Sequence, residues 1–239
     1  MTSPLPEAVS TPSPAPGDGV RALDIGDIPA LLALAHEAIP GTMASRLGPR
    51  FSERYHRALL EEPALQLDGY FGGGELQGFI VYSHDVRGAL RSAYKRHRLT
   101  FASALLRSAL SPQRIGYVLR IAGSILGRRP EPGMAIRAEL LTIAVRPAVR
   151  GSGEGRRQGG VNVPHALVAR AIDYLRARGV PEVKVFCRPV AQDPAANGFV
   201  RKEGFELRGE VERWGIRTNL YVRRLESRDG AGTLSVVRP

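Results

Sequence analysis

The chain has 239 residues, 43% hydrophobic and 24% charged, a length that fits one α/β domain with decorations or two small ones, and proportions near globular averages that suggest neither wholesale disorder nor a membrane channel. Its formal net charge of +11 makes an acidic ligand, an anionic membrane surface or nucleic acid an eligible partner without choosing among them. The single cysteine, Cys187, excludes an intrachain disulfide framework and an all-cysteine zinc site, and no uninterrupted apolar run reaches the roughly 18 to 20 residues of a membrane-spanning helix.

The start, MTSPLPEAVSTPSPAPGDG, lacks a basic region followed by an apolar one, so no secretory signal is expected and a cytoplasmic protein is. Its Pro, Ser and Ala content predicts a disordered arm over 1–20. DIGDIPALLALAHEAI offers Asp27 as a cap, Pro29 in the first turn and apolar residues at helical spacing. GPRFSERYHRALLEE predicts a second helix with Phe51, Tyr55 and Leu59 on one face. The period then drops to two. LQLDGYF and LQGFIVYSH flank Gly72, Gly73 and Gly74, which signals a hairpin whose turn glycines take positive φ. From Arg87 to Arg129 the pattern is again helical, in pieces, with ten basic residues and no acidic one.

AELLTIAV, ending at Arg146-Pro147, is the strongest candidate for a buried strand. After a glycine-rich loop, VPHALVARAIDYLRARG predicts a helix that tolerates Pro164 in its first turn and stops at Gly179 and Pro181. A strand EVKVFC, a short helix DPAANGFVRKEG and closing strands FELRGEV and IRTNLYVRRL follow, and 226–239 is a loose tail. From Ala138 the order is therefore β, loop, α, β, α, β, β.

A strand that leads through glycines into a helix head converges unpaired N–H groups with the positive end of the helix dipole, an arrangement suited to phosphate. The loop is not a Walker A sequence, because no Gly-Lys-Ser/Thr occurs in the chain. It is not a dinucleotide fingerprint either, since Gly151, Gly153 and Gly155 are followed by Arg156 where the third glycine of that motif is required. What it contains is Arg150-x-x-Gly153-x-Gly155 after a buried strand. In this the chain resembles the GNAT superfamily of acetyl-CoA-dependent acyltransferases, whose central motif is a strand, R/Q-x-x-G-x-G/A, and a helix that takes the cofactor pyrophosphate. DPAANGFVRKEGFE, with Asn197 and the closing Gly204-Phe205, is similar to the family's later helix, and the element order agrees.

The resemblance implies one GNAT-type domain over 21–225, a mixed central sheet flanked by helices, with a basic helical insertion at 87–130 before the central strand. It implies acetyl-CoA as acyl donor and no metal. The pyrophosphate would be held by Arg150, Gly151, Ser152, Gly153 and Gly155. A second register, Arg157-x-x-Gly160-x-Asn162, places Gly160 and Asn162 there instead and sits closer to the expected helix start. Backbone groups of Ile143, Ala144 and Val145 would meet the thioester, and Asn197 would contact the cofactor arm or lie on the helix surface.

Transfer to an amine needs a general base, because an amine of pKa about 10.4 is protonated at neutral pH. Glu139 is the only acidic residue on the central strand, and the resemblance to histone-acetyltransferase-like members implies a base at this position. Its apolar neighbours predict a raised pKa; the alternative is a solvated strand end. Val200 stands where the family often carries a tyrosine general acid, so Tyr221 is the substitute candidate, with a plain core tyrosine as its alternative. Cys187 has no adjacent histidine to activate it. His36, His56, His84, His97 and His165 form no metal-ligand pattern.

The expected acceptor is a small-molecule amine or amino sugar, with an anionic one suggested if the basic insertion is a lid. The same insertion also suits an anionic membrane surface, and nucleic acid is the less favoured partner. The rival to an N-acetyltransferase is a non-catalytic module of the same fold that binds membrane or nucleic acid through its basic helices.

Overall fold

The computed structural model describes residues 18–40, 42–98, 101–103, 135–150, 161–213 and 216–225. Seven strands form one sheet: β1 Gly19–Ala22, β2 Gln66–Gly72, β3 Glu75–Ser83, β4 Glu139–Val145, β5 Glu182–Cys187, β6 Glu206–Arg213 and β7 Ile216–Arg224, in spatial order β1-β2-β3-β4-β5-β7-β6. Every neighbouring pair is antiparallel except β4–β5. Among the described residues the helices with defined bounds are α1 Ile28–Ala38, α2 Met43–Leu47, α3 Pro49–Leu60, α4 Val86–Arg96, α5 Val163–Arg176 and α6 Pro194–Lys202.

Local chemistry sets most of these boundaries. The β2–β3 hairpin turns on Gly73 and Gly74, both at positive φ (62° and 79°). Asn162 and Asp193 cap α5 and α6, their side chains accepting from the N–H groups of His165 and Ala196. Helices α1, α3, α4 and α5 each bury one stripe on the sheet. Leu167, Val168, Ala171, Ile172 and Leu175 of α5 meet Ile80, Tyr82, Leu140, Val183, Val185 and Tyr221 on one face. Leu31 and Leu34 of α1, Leu59 of α3 and Ala89 of α4 meet Leu67, Phe79, Val81 and Ala144 on the other. Gly78 lets the head of α5 settle directly on the sheet, because a Cβ there would stand 3.0–3.1 Å from Val163, Leu167 and Val145.

Within the described residues, the expected strands, hairpin and helices are present in their expected order. Three details differ. The edge strand β1 starts at Gly19, inside the stretch expected to be arm, and is held by its ladder to β2. The five-residue α2 carries too short an apolar pattern to be read from sequence. Asp24, not Asp27, caps the first turn, while the Asp27 carboxylate pairs with Arg21 at 2.7 Å. The rest of the expected arm, most of the basic insertion, the glycine loop 151–160 and the tail lie outside the described residues. Among the described residues, no helix is long and apolar enough to cross a membrane.

Candidate functional site

The parallel neighbours β4 and β5 pair only at the start of β4 and the middle of β5, Glu139 with Lys184 and Leu140 with Val185. Immediately beyond, β4 carries a bulge: Tyr82 pairs with Leu140 and Val81 with Thr142, leaving Leu141 as the extra residue. A bulge bends its strand and increases the local twist, and here it falls where the two strands part. The ladder with β3 fixes which peptide groups face the opening. Arg146 N–H donates to Gln77 O at 2.8 Å, so by the alternation of an antiparallel ladder Val145 and Ile143 turn their peptide groups away from β3. Among the described residues, no strand pairs with them on that side.

Two predicted binding residues border this opening, and the structure commits both side chains elsewhere. Arg150 donates through Nε to Val145 O at 2.7 Å and through Nη2 to Ala38 O, stapling the end of β4 to the end of α1. Asn162 spends its side-chain oxygen on His165 N–H. Pro164, the second residue of α5, has no N–H to offer. The head of α5 therefore presents few amides to an anion, and the burden of phosphate binding shifts to the residues before it. Gly151, Ser152, Gly153, Gly155 and Gly160 lie outside the described residues.

At the closed end of the opening, on the face toward α3, sits a buried ionic cluster. Glu139 is 2% exposed, which overturns the solvated-strand-end alternative. Arg213 Nη1 donates to Glu139 Oε1 at 2.6 Å, and Lys184 Nζ stands 3.9 Å from Oε2. The Glu139 surroundings are thus charged, not the purely apolar ones its strand neighbours suggest. The Arg213 guanidinium lies over the Phe186 ring, 4.2 Å from its centroid, a cation–π contact that holds the arginine in place. Half-buried Tyr55 of α3 faces the same group: burial pushes its hydroxyl up to about 12, with Arg213 acting against the shift and Glu139 adding to it.

Asn197 and Tyr221 lie on the opposite face. Asn197 is 2% exposed, so it is not a helix-surface residue. Its Oδ1 accepts from Tyr221 Oη and Asn219 Nδ2, both at 2.8 Å, and its Nδ2 donates to the carbonyls of Arg188 and Asp193. An asparagine has two acceptor and two donor positions, and all four are used. Asn197 thus clamps the β5–α6 connection and has nothing left for a cofactor. Tyr221 is fully buried, and its hydroxyl proton is committed to Asn197, which makes it the core tyrosine of the two alternatives. Cys187, paired in register with Asn219, has its thiol pushed up to about 12, chiefly by burial and further by Asp193.

No protein-family model matches the sequence, and no curated protein matches it significantly. Solved structures do. The ribosomal-protein-alanine N-acetyltransferase of Brucella melitensis superposes with a TM-score of 0.51 at 18% identity, covering 86% of this chain and 99% of that one. The polyamine N-acetyltransferase of Drosophila melanogaster gives 0.51 at 14% identity over 86% and 99%. The PaiA N-acetyltransferase of Thermoplasma acidophilum, in complex with coenzyme A, gives 0.50 at 14% identity over 86% and 97%. The chain has the GNAT-type fold. At these identities the likeness is one of fold.

Within the GNAT-type fold, Lys184, Arg213, Phe186, Tyr55 and Asn219 are site-proximal residues that sequence reasoning missed. Lys184 left a trace, as a charged residue inside the apolar run VKVFC. Arg213, one residue from the β6–β7 turn, left none, because only the sheet order brings it to Glu139. A surface cavity of about 680 Å³ lies away from the opening, beside β1 and α1, with Arg21, Asp27, Phe71 and Arg146 among its lining residues. Its arginines are already matched, by Asp27 at 2.7 Å and Glu75 at 2.9 Å. Among the described residues, no group of three His, Cys, Asp or Glu side chains is placed to hold a metal ion.

Proposed function

We propose that this protein is a cytoplasmic N-acetyltransferase that moves an acetyl group from acetyl-CoA directly to the amine of a small molecule or amino sugar. The observation that carries the proposal is the opening between β4 and β5, where peptide groups of Ile143 and Val145 lack a strand partner while a buried carboxylate, Glu139, stands at the closed end. Strand edges inside a sheet are normally paired, and an edge left open in the middle of one is available to a ligand backbone.

Acetyl-CoA supplies the activated acyl group as a thioester. The residues present fit such a donor: the N–H groups of Ile143 and Val145 give donors for its amide arm and for the charge that develops on the thioester oxygen. The Val145 carbonyl, taken by Arg150, is not part of that set. Glu139 accepts the proton the amine must lose. Glu139 and Ile143 are four steps apart on the strand, at about 3.3 Å per step, so the proton passes through a water relay and not by direct contact. Arg213 and Lys184 hold and orient the Glu139 carboxylate for this. No general acid is assigned, as the Tyr221 hydroxyl is engaged and position 200 is valine. Direct transfer is preferred to an acyl-cysteine path because a thiol pushed up to about 12 is a poor nucleophile near neutral pH.

We favour the register Arg157-x-x-Gly160-x-Asn162 for phosphate binding, since α5 begins at Val163 with Asn162 as its cap and Arg150 is held by backbone carbonyls. Calorimetric titration of acetyl-CoA tests both points. Saturable binding is expected for the native chain and for Gly153→Glu, and its loss in Gly160→Glu. With a competent amine from an acceptor panel, Glu139→Gln is expected to lower kcat by a factor of about 10² to 10⁴. Failure of the folded protein to bind acetyl-CoA would remove the proposal.

A further inference from the structure

Helix α4 carries a cationic face with no neutralising partner among the described residues. Arg87, Arg91 and Lys95 stand at i, i+4 and i+8, on one stripe of the helix, and all three are exposed. Among the described residues no ion pair involves any of them, whereas Arg96, on another side of the helix, turns to α3 and donates to Glu61 O at 2.7 Å. Arg98, just past the helix end, is exposed as well. Val86, Ala89 and Ala93 anchor the opposite face in the protein. Beside the stripe, Gly88 and Ser92 leave the helix surface low, and Gly88, Arg91, Ser92, Lys95 and Arg96 line an open depression of about 510 Å³.

We propose that α4 docks the protein on an anionic membrane surface, with a lipid phosphate seated between Arg91, Ser92 and Lys95. Charge complementarity calls for an anionic partner, and two features favour lipid over nucleic acid. Tyr94 is 45% exposed and flanks the stripe, and tyrosine is a residue type that settles at the membrane–water boundary. The sequence that continues from the helix to Arg129 mixes basic residues with apolar runs such as LTFASALL and has no acidic residue, a composition suited to an interface. Long-range attraction of this kind is worth about 1 kcal/mol, or about fivefold in partitioning, for each basic residue near the surface.

The test is co-sedimentation of the full chain with vesicles of phosphatidylglycerol and phosphatidylcholine, against vesicles of phosphatidylcholine alone. Binding to the anionic vesicles only, falling with salt and weakened about a hundredfold in Arg87→Gln/Arg91→Gln/Lys95→Gln, is the expected result. The three side chains are exposed, so the triple variant should keep the native circular dichroism spectrum and melting temperature. Tyr94→Ala provides a second, uncharged variant and should weaken binding to anionic vesicles without altering the salt slope. The proposal is overturned if the native chain ignores anionic vesicles, if the triple variant binds them as the native chain does, or if duplex DNA competes the protein off vesicles and is itself lost in the triple variant.

Discussion

The Glu139–Arg213 pair can be measured by a double-mutant cycle with Glu139→Gln and Arg213→Met. Both side chains are nearly enclosed, at 2% and 9% exposure, and joined by a 2.6 Å hydrogen bond. Removing one member of a buried pair strands the other, which costs about 3–5 kcal/mol. Lys184 Nζ at 3.9 Å stays beside the carboxylate in Arg213→Met, so the low end, about 3 kcal/mol, is expected there. In Glu139→Gln two cations are left facing an amide, and a similar loss is expected. The double variant removes both charges and should lose far less than the sum, with a coupling energy of about 2 kcal/mol or more. Urea unfolding supplies each corner of the cycle. Strict additivity, within about 0.5 kcal/mol, would show that the two groups do not meet in solution and would refute the picture of a carboxylate paired with this arginine. Measuring kcat alongside separates the roles: Arg213→Lys should retain more activity than Arg213→Met if charge beside Glu139 is what matters.

Alkaline stability should report the buried thiol. Its pKa is raised on folding, from 9.0 to about 12, so its contribution is complete below pH 9 and is lost as pH rises through about 12. That amounts to at most about 4 kcal/mol. Tyr55, raised from 10.0 to about 12, acts in the same sense. Cys187→Ala should flatten the fall in urea midpoint between pH 9 and 11, and a parallel fall in both proteins would contradict the assignment. Tyr221→Phe should cost about 1–2 kcal/mol for the hydrogen bond lost to Asn197 with kcat within tenfold of native. A drop in kcat beyond a hundredfold at unchanged stability would restore Tyr221 as a general acid. Arg150→Ala should lower stability by about 2 kcal/mol through the two carbonyls it abandons while leaving acetyl-CoA affinity within a few-fold, whereas a large rise in Kd would return Arg150 to the phosphate site.

The fold was legible because its signals are local. Alternation in LQGFIVYSH, the apolar run AELLTIAV, the glycines of the β2–β3 turn and the stop at Gly179 each act over a few residues, and together they order the strands and helices. The site was legible only in part, because its decisive contacts join residues far apart in sequence. Glu139 stood out as the one acid on its strand, but the cations around it come from β5 and from the far end of β6, and adjacency of those strands is a property of the sheet order. Arg150 and Asn162 occupied the positions a binding motif calls for. Backbone groups of their own neighbourhood claimed their side chains first, a competition that residue type and spacing do not reveal. Asn197 was misplaced for a related reason: a polar residue on a short amphipathic helix normally points to water, and here it is buried and satisfies four polar groups at once.

The opening and the charged cluster are two parts of one arrangement. Glu139 and Lys184 form the first paired rung between β4 and β5, Leu140 and Val185 the second, and the extra residue Leu141 follows at once. Below the bulge a cross-strand ion pair favours close approach, and Arg213 carries the same linkage on to β6. Above it the twist added by the bulge carries Ile143 and Val145 away from β5. The cluster therefore acts as the hinge pin of the opening as well as the seat of its carboxylate. Deleting Leu141 tests this directly, for it removes the bulge without touching a charge. Thr142 then follows Leu140 directly and keeps its pairing with Val81, so the ladder with β3 becomes regular, Ile143 and Val145 still face away from it, and the strand loses the added twist that parts it from β5. Acetyl-CoA binding should be lost while the Glu139–Arg213 coupling energy survives. If both vanish together, the opening and the cluster are not separable and the hinge account fails.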